Sequence, residues 1–359
     1  MEKVYEAHCH FLFQIPLETQ IKIFKEEFVQ TGIEKVAFLG IPLEYRIDGT
    51  KRQLHTQNLN AMALKKVFSP NGYAFAGLVH PESYEDIEAV KEDFLNQVKG
   101  FMSDGYDGIK MLEGYPTFYK FTGIGVDHEV YDKFYAYCEE NGVHITMHIA
   151  NPDKNWDYEN ASERLIAEGR VYDKSYPPKQ FYIDQVFNVM KKFPKLRLAL
   201  AHCGFFSLHY DDAVKFMEYP NTALDITPGG EQLINMAQNW ELWGPFWKKY
   251  INKIFYGTDY YAFPKDENWE ICFKRRPILV RQLLETGLEH DYFGVVFKGV
   301  KLPKRMRDKV YRKNFMRMFG KPKAISSDAF QKEIDRLRKI PDLKPLDLED
   351  IDYIEKNIK

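Results

Sequence analysis

Eight short, almost wholly apolar runs recur along this chain, and each is followed by a longer amphipathic stretch. The runs are Val4–Ala7, Lys35–Ile41, Tyr73–Val79, Gly108–Leu112, Val143–Ile149, Leu196–Ala201, Thr222–Ile226 and Lys253–Tyr256. Runs this short with no polar face read as strands buried on both sides, as in a parallel sheet. The stretches between them carry helical periodicity: 16–30, 55–68, 83–102, 129–140, 181–193, 211–217, 232–250 and 269–285. Pro16 opens the first and Thr31-Gly32 closes it, while Asn141-Gly142 and Pro194 close two others. Eight strands, each followed by a helix, predict an α/β fold, a (β/α)8 TIM barrel. The rival is a doubly wound open sheet. Its usual nucleotide site is missing, since no GxGxxG follows the first strand and no GxxxxGK[ST] occurs.

Two segments fall outside the repeat. Residues 151–178 form a long insertion after strand 5, rich in Asn, Asp, Glu and Tyr. Loops of this length in a compact domain are usually functional. Beyond Leu302, one helix is expected near 304–319, followed by a charged helical stretch. The expected division is a barrel over 1–320 and a C-terminal helical tail over 321–359 packed on its exterior.

The charge balance excludes some partners. Lys+Arg is 50 against Asp+Glu 52, without the basic excess of a nucleic-acid binder. The basic stretch 301–313 is broken by apolar residues at helical spacing and reads as a solvated helix face. No apolar run is long enough to span a membrane. Cys9, Cys138, Cys203 and Cys272 form no CxxC pair, and the N-terminus lacks a secretory pattern, so a cytoplasmic location is expected.

The histidines are placed unevenly. His8 and His10 follow strand 1, His80 follows strand 3, His148 ends strand 5 and His202 ends strand 6, while Asp259 follows strand 8. Catalytic residues of such barrels lie at the C-terminal ends of strands, so this set is expected to converge on one mouth. Side chains at i and i+2 on a strand share a face, so His8 and His10 can reach one ion. Four imidazoles and a carboxylate exceed the needs of a structural site and suit a catalytic metal with one position left to water. The same rule puts Leu196, Leu198, Leu200 and His202 on one inward face, and Phe255, Gly257 and Asp259 on another. It puts Glu6 inward beneath His8, where it is expected to hydrogen-bond a metal-bound histidine. A lone strand histidine is usually structural. His144 reads as packed, and Cys9 and Cys203 read as buried residues rather than ligands.

HCH after strand 1, MHIA after strand 5, LAHCG after strand 6 and YGTDYY after strand 8 resemble the amidohydrolase superfamily. The likeness is to its amidohydrolase-related branch, which includes aminocarboxymuconate-semialdehyde decarboxylase-like metal-dependent barrels. EKVAFLG, NTALDIT and VYRKNFMRMFG also look like this branch, and the resemblance covers about residues 3–320. It implies that His8, His10, His148 and Asp259 hold a divalent metal, zinc first, with manganese or iron as alternatives. It implies that His202 polarises a carbonyl or holds the attacking hydroxide, and stabilises an oxyanion if protonated. Asp259 would serve as general base and proton shuttle. Glu6 departs from the branch, which usually has Asp there. A strand-4 lysine is carbamylated in some superfamily members and bridges two metals. For Lys110 three readings stay open: a second-metal role with His202, a contact to a substrate carboxylate or to Glu113, or plain structure.

His80, Tyr115, Trp156, Phe205 and Tyr260 are the substrate-binding candidates, and Tyr261 is a further rim residue. The expected activity is metal-activated hydrolysis of a small carboxylic ester, lactone or amide. The alternatives are non-oxidative decarboxylation of an aromatic or enoic acid, and an inactive barrel with a binding role. The expected partner is a small carboxylated or aromatic substrate, with no nucleic acid and no membrane. The aromatics allow a homodimer.

Overall fold

The computed structural model describes residues 1–167, 169–229, 231–341 and 343–359; the side chain of Cys272 lies outside the described residues. The eight expected strands form at Val4–Cys9, Ile33–Leu39, Gly72–Gly77, Gly108–Gly114, His144–Ile149, Arg197–Leu200, Thr222–Asp225 and Ile254–Phe255. They pair in parallel, in chain order, as one sheet. The sheet curls back on itself: Ala7 N donates to Tyr256 O (3.1 Å), Tyr260 N to His8 O (3.0 Å) and His10 N to Tyr260 O (2.7 Å). These bonds tie the first strand to the segment after the last and bring His8, His10 and Asp259 together in space.

The barrel interior is a small apolar cluster drawn from strands alone, with Ala7, Ala37, Leu39, Tyr73, Phe75, Ala199, Ala223 and Phe255, plugged by Phe315 and Phe319 from the helix Asn314–Phe319. Leu196, Leu198 and Leu200 belong instead to the larger cluster between strands and helices. The inward face of the sixth strand is therefore the odd-numbered one, opposite to the sequence expectation. His202 still reaches the mouth because the chain turns after Leu200. His202, Cys203, Gly204 and Phe205 all have φ between 53° and 64°, a left-handed run that re-aims the imidazole. Glu6 also departs from expectation. A register shift between Glu6 and Cys9 breaks the strand's alternation, so Ala7 faces the interior and Glu6 does not. Gly257 is needed for closure, since a Cβ there would stand 2.5 Å from Thr227 Oγ1 and 3.2 Å from His8 Cβ.

Most expected helices form, with shifted ends. The stretch 232–250 divides into Gln232–Gln238 and Trp240–Tyr250. Two short antiparallel pairs, Leu43–Tyr45 with Lys51–Gln53 and Glu289–Tyr292 with Val295–Lys298, had no counterpart in the sequence reading, nor did the helix Pro116–Thr122. In the insertion, Tyr172 N donates to Asn155 O and the Trp156 indole N–H to Pro177 O (2.9 Å). The tail forms two helices, Ala329–Leu337 and Pro345–Asn357. Asp350 accepts from Leu17 N and Asn60 Nδ2, both at 2.8 Å, which docks the last helix on the barrel's first two helices. Among the described residues no helix is long and apolar enough to cross a membrane.

Candidate metal centre

His8, His10 and Asp259 offer one ligand atom each within 4.8 Å of one another. His8 Nε2 and His10 Nε2 are 3.0 Å apart, and each lies near Asp259 Oδ1, at 3.9 and 3.8 Å. The opposite ring nitrogens decide what these atoms present. His10 Nδ1 is 3.0 Å from the Leu39 carbonyl, which can only accept, so Nδ1 carries the proton. His8 Nδ1 donates to Asp225 Oδ2 at 2.8 Å. As neutral imidazoles, both residues turn a lone pair from Nε2 toward the same point, with a carboxylate oxygen beside them. Three electron-pair donors facing one centre is an arrangement that a cation satisfies. Metal–ligand bonds of about 2.0–2.2 Å put the ligand atoms of a tetrahedral site roughly 3.3 Å apart, within the observed range.

Asp225, at the end of the seventh strand, organises this cluster, and the sequence reading missed it. Its carboxylate is fully buried and accepts from His8 Nδ1, His202 N (2.8 Å) and Thr227 N (3.1 Å). Burial alone would raise its pKa. The His8 imidazole and its hydrogen bond, together with His202 and Lys110, outweigh that and hold it well below the usual range. Asp225 thus fills the role expected of Glu6. Glu6 instead accepts from the backbone of His8 and from Thr258 N and Oγ1, clamping the two ends of the closed sheet. Burial pushes Glu6 up to about 8.

Arg276 is a second residue missed from sequence. From the start of the helix Arg276–Glu285 it donates to Asp259 Oδ2 (2.9 Å) and to the Asp259 carbonyl. Burial would raise Asp259, but Arg276, then His8 and His10, hold it well below the carboxylate range. Asp259 itself has φ 54°, a strained turn that points the carboxylate at the histidines.

His148 stands beside this trio rather than in it. Its Nε2 bonds the Ala150 carbonyl at 3.0 Å, and its ring lies 4.9 Å from that of His202. His202 lies 5.2 Å from His8, stacks on Phe205 at 5.0 Å, and its buried Nδ1 has no hydrogen-bond partner. Burial, and then the neighbouring His8, lower His202 to about 3, so near neutrality it is an uncharged imidazole rather than the cation considered from sequence. His10 and His148 are likewise pushed well down, chiefly by burial.

Lys110 is buried, with Nζ 3.2 Å from His8 Nε2. Burial lowers it to about 8, against the opposing pull of Asp225, Asp259 and Glu113. The contact between Lys110 and Glu113 considered from sequence does not form as an ion pair. Glu113 pairs instead with His80, Nε2 to Oε1 at 2.7 Å.

The other rim candidates divide. Tyr115 lies 5.0 Å from His148, and Phe205 touches both His148 and His202. Trp156 packs on Tyr172 and Tyr182 within the insertion. Tyr260 points away from the mouth: it is fully buried among Phe24 and Phe28, and its hydroxyl donates to Glu27 Oε2 at 2.8 Å. Tyr261 takes the place expected of it, 5.3 Å from His10. His144 packs on Phe75 and Phe319 inside the barrel, as expected.

A parallel barrel whose strand ends present two histidines and an aspartate to one point, each oriented by a partner behind it, is the architecture of a metal-dependent enzyme. The sequence profile of the amidohydrolase family matches residues 103–321. The chain belongs to that family, whose members are metal-dependent hydrolases and lyases. No curated protein sequence matches it significantly. Solved structures share its fold at low identity. An uncharacterised TIM-barrel protein from Bordetella bronchiseptica is 13% identical, with a TM-score of 0.54 over 88% of this chain and 98% of its own. A dihydroxybenzoic acid decarboxylase from Polaromonas, with bound manganese and the inhibitor 2-nitroresorcinol, is 12% identical, with a TM-score of 0.53 over 89% and 97%. A 4-oxalomesaconate hydratase from Rhodopseudomonas palustris is 13% identical, with a TM-score of 0.51 over 93% and 99%.

Proposed function

We propose that the chain hydrolyses a small carboxylic ester, lactone or amide with a divalent cation held by His8, His10 and Asp259, and by His148 as a fourth ligand. The cation is zinc, with manganese or iron able to substitute. The observation that carries this reading is the convergence of two imidazole lone pairs and a carboxylate oxygen on one point at the barrel mouth. When bound, the cation supplies a Lewis acid that lowers the pKa of water from 15.7 to about 7 and withdraws charge from a carbonyl.

The chain's own residues do the rest. Asp225 and the Leu39 carbonyl fix the tautomers of His8 and His10. The Nε2 proton of His148 is spent on Ala150, which leaves the Nδ1 lone pair for ligation. His202, neutral, donates from its protonated ring nitrogen to the oxygen of the reacting carbonyl. The Lys110 ammonium draws a carboxylate toward the cluster. Tyr115, Phe205 and Tyr261 bound the apolar part of the substrate.

One observation favours decarboxylation as a second reading. Oδ2 of Asp259 is taken by Arg276 while Oδ1 faces the histidines, so neither oxygen is free to carry a proton away from water. In decarboxylation the C–C bond breaks, carbon dioxide leaves with the carboxylate oxygens, and the electron pair left on carbon takes a proton, here from the Lys110 ammonium. The test is to load metal-depleted protein with zinc, manganese or iron and to screen esters, lactones, amides and aromatic or enoic acids. Acid release without carbon dioxide supports hydrolysis; carbon dioxide release supports the second reading. Metal-independent turnover, or turnover that survives Asp259→Asn undiminished, would sink both.

A further inference from the structure

A cavity of about 360 Å³ opens at the foot of the barrel, where the strands begin, within the size range of small-molecule sites. Three cations line it. Arg197 opens the sixth strand, Lys253 directly precedes the eighth, and Arg317 comes from the helix Asn314–Phe319 that plugs the barrel. Among the described residues no carboxylate lines the cavity, and none of the three cations forms an ion pair. Arg197 and Lys253 are half-buried. Arg197 donates to the Gly142 carbonyl at 3.3 Å and to the carbonyl and sulfur of Met318, so at least two of its five N–H groups remain. Lys253 donates to the Met217 carbonyl at 2.7 Å and to the Tyr219 carbonyl, which leaves one N–H. Arg317 is exposed, as is the Asn252 amide that also lines the cavity, and neither side chain has a hydrogen bond among the described residues. Glu218 acts on Lys253, but it is bonded to Lys249 and Tyr250. Burial pulls all three cations below their ordinary values, and Arg317 presses Lys253 further down. Cations of one sign gathered in a concavity focus a field that an anion relieves.

We propose that this cavity is a binding site for a small organic phosphate, a monoester whose phosphate is held by Arg197, Lys253 and Arg317. A phosphate monoester carries a charge of about −1.5 to −2 near neutrality and three strong acceptor oxygens. Two guanidinium forks and an ammonium match that set. A carboxylate brings one charge and two oxygens to three cations. Phe255 and Met318 give the cavity an apolar wall for the organic part. The phosphate is not a reacting group, because the chemistry of such a barrel lies at the other end, where the strands finish. Its effect is to join the starts of the sixth and eighth strands to the plugging helix. A ligand that binds only the folded chain raises its melting temperature. The site stands apart from the metal cluster and does not depend on what that cluster catalyses.

The test titrates phenyl phosphate, inorganic phosphate and benzoate into the full chain by calorimetry at low salt, with thermal melts alongside. Phenyl phosphate is expected to bind once per chain, more tightly than either of the others, and to raise the melting temperature. Arg317→Glu should weaken it about tenfold or more, the range of one hydrogen bond between charged groups. Asn252→Asp also brings a negative charge to the cavity, should weaken binding in the same direction, and serves if the first variant does not fold. His8→Ala with His10→Ala should bind phenyl phosphate as wild type does. Absence of binding, or an affinity unchanged in both foot variants, overturns the proposal. Loss of affinity in the histidine variant puts the phosphate at the metal cluster and overturns it too. Inorganic phosphate or benzoate binding as tightly as phenyl phosphate overturns the assignment to an organic phosphate.

Discussion

Asp225→Asn changes one atom at the point on which the metal cluster depends. In the wild type, Oδ1 accepts the His202 and Thr227 backbone N–H groups and Oδ2 accepts His8 Nδ1–H. Asparagine has one oxygen and one NH2. Two rigid backbone donors claim the oxygen, so the NH2 faces His8. Two N–H groups cannot face each other at 2.8 Å, and His8 must move its proton to Nε2. The nitrogen that faced His10 and Asp259 then carries a hydrogen and cannot ligate. Replacing an outer partner of a ligating histidine typically costs 10–100-fold in metal affinity. Here the tautomer is reversed as well, so the loss is expected at the upper end, about 100-fold, or about 2.7 kcal/mol. The assay is a competitive zinc titration against a chelating dye, with a thermal melt of the metal-free protein to check folding. Exchanging a charge-assisted hydrogen bond for a neutral one should lower the stability of the metal-free form by about 1 kcal/mol. A folded variant that binds zinc within about threefold of wild type would refute the tautomer argument.

Other outcomes follow from the same geometry. His8→Ala with His10→Ala should abolish metal binding and leave the barrel folded, as read by circular dichroism and metal analysis; retained stoichiometric metal would remove both residues from the ligand set. Tyr260→Phe should lower stability by about 1 kcal/mol through loss of the bond to Glu27, with metal affinity unchanged; a change in affinity would put Tyr260 back at the mouth. The metal-free protein should lose stability as pH falls below about 6.5. His10, His148 and His202 are all lowered in the folded state, so the unfolded chain binds protons there first. The slope is about 1.4 kcal/mol per pH unit for each histidine, and for His202 it ends near 3, where the folded form also titrates. Denaturant melts between pH 7 and 4.5 measure it, and a flat profile would contradict buried neutral imidazoles.

The apolar runs disclosed the barrel because strands buried on both faces leave little choice of residue. Strand-end position was enough to bring His8, His10, His202 and Asp259 to one mouth. Facing was less legible. The register shift beyond Glu6 and the left-handed run at His202–Phe205 each break the alternation on which side-chain direction is read. Neither carries a sequence signal apart from Gly204. Asp225 was visible as the single charge in TALDI, an apolar strand otherwise, but its partner His8 lies on a strand far off in sequence. Arg276 sits in a run of basic residues that looks like a solvated helix start, and only the turn after the last strand, with Asp259 at φ 54°, brings the two together. Tyr260 was misplaced although its neighbour gave the answer: with Asp259 turned inward, the next side chain turns out. The hairpins at Leu43–Gln53 and Glu289–Lys298 have strands of only three or four residues, too short for the alternation that announces a strand.

The central claim is that His8, His10 and Asp259 hold a catalytic cation, and metal content tests it most directly. Protein purified without chelator or histidine tag is analysed by elemental mass spectrometry, beside Asp259→Asn prepared in the same way. The account predicts about one zinc, manganese or iron per wild-type chain and a marked loss in the variant. About two per chain would keep the cluster and give Lys110 the role of a carbamate bridge. None in the wild type, and none taken up when zinc, manganese or iron is added, would contradict the account.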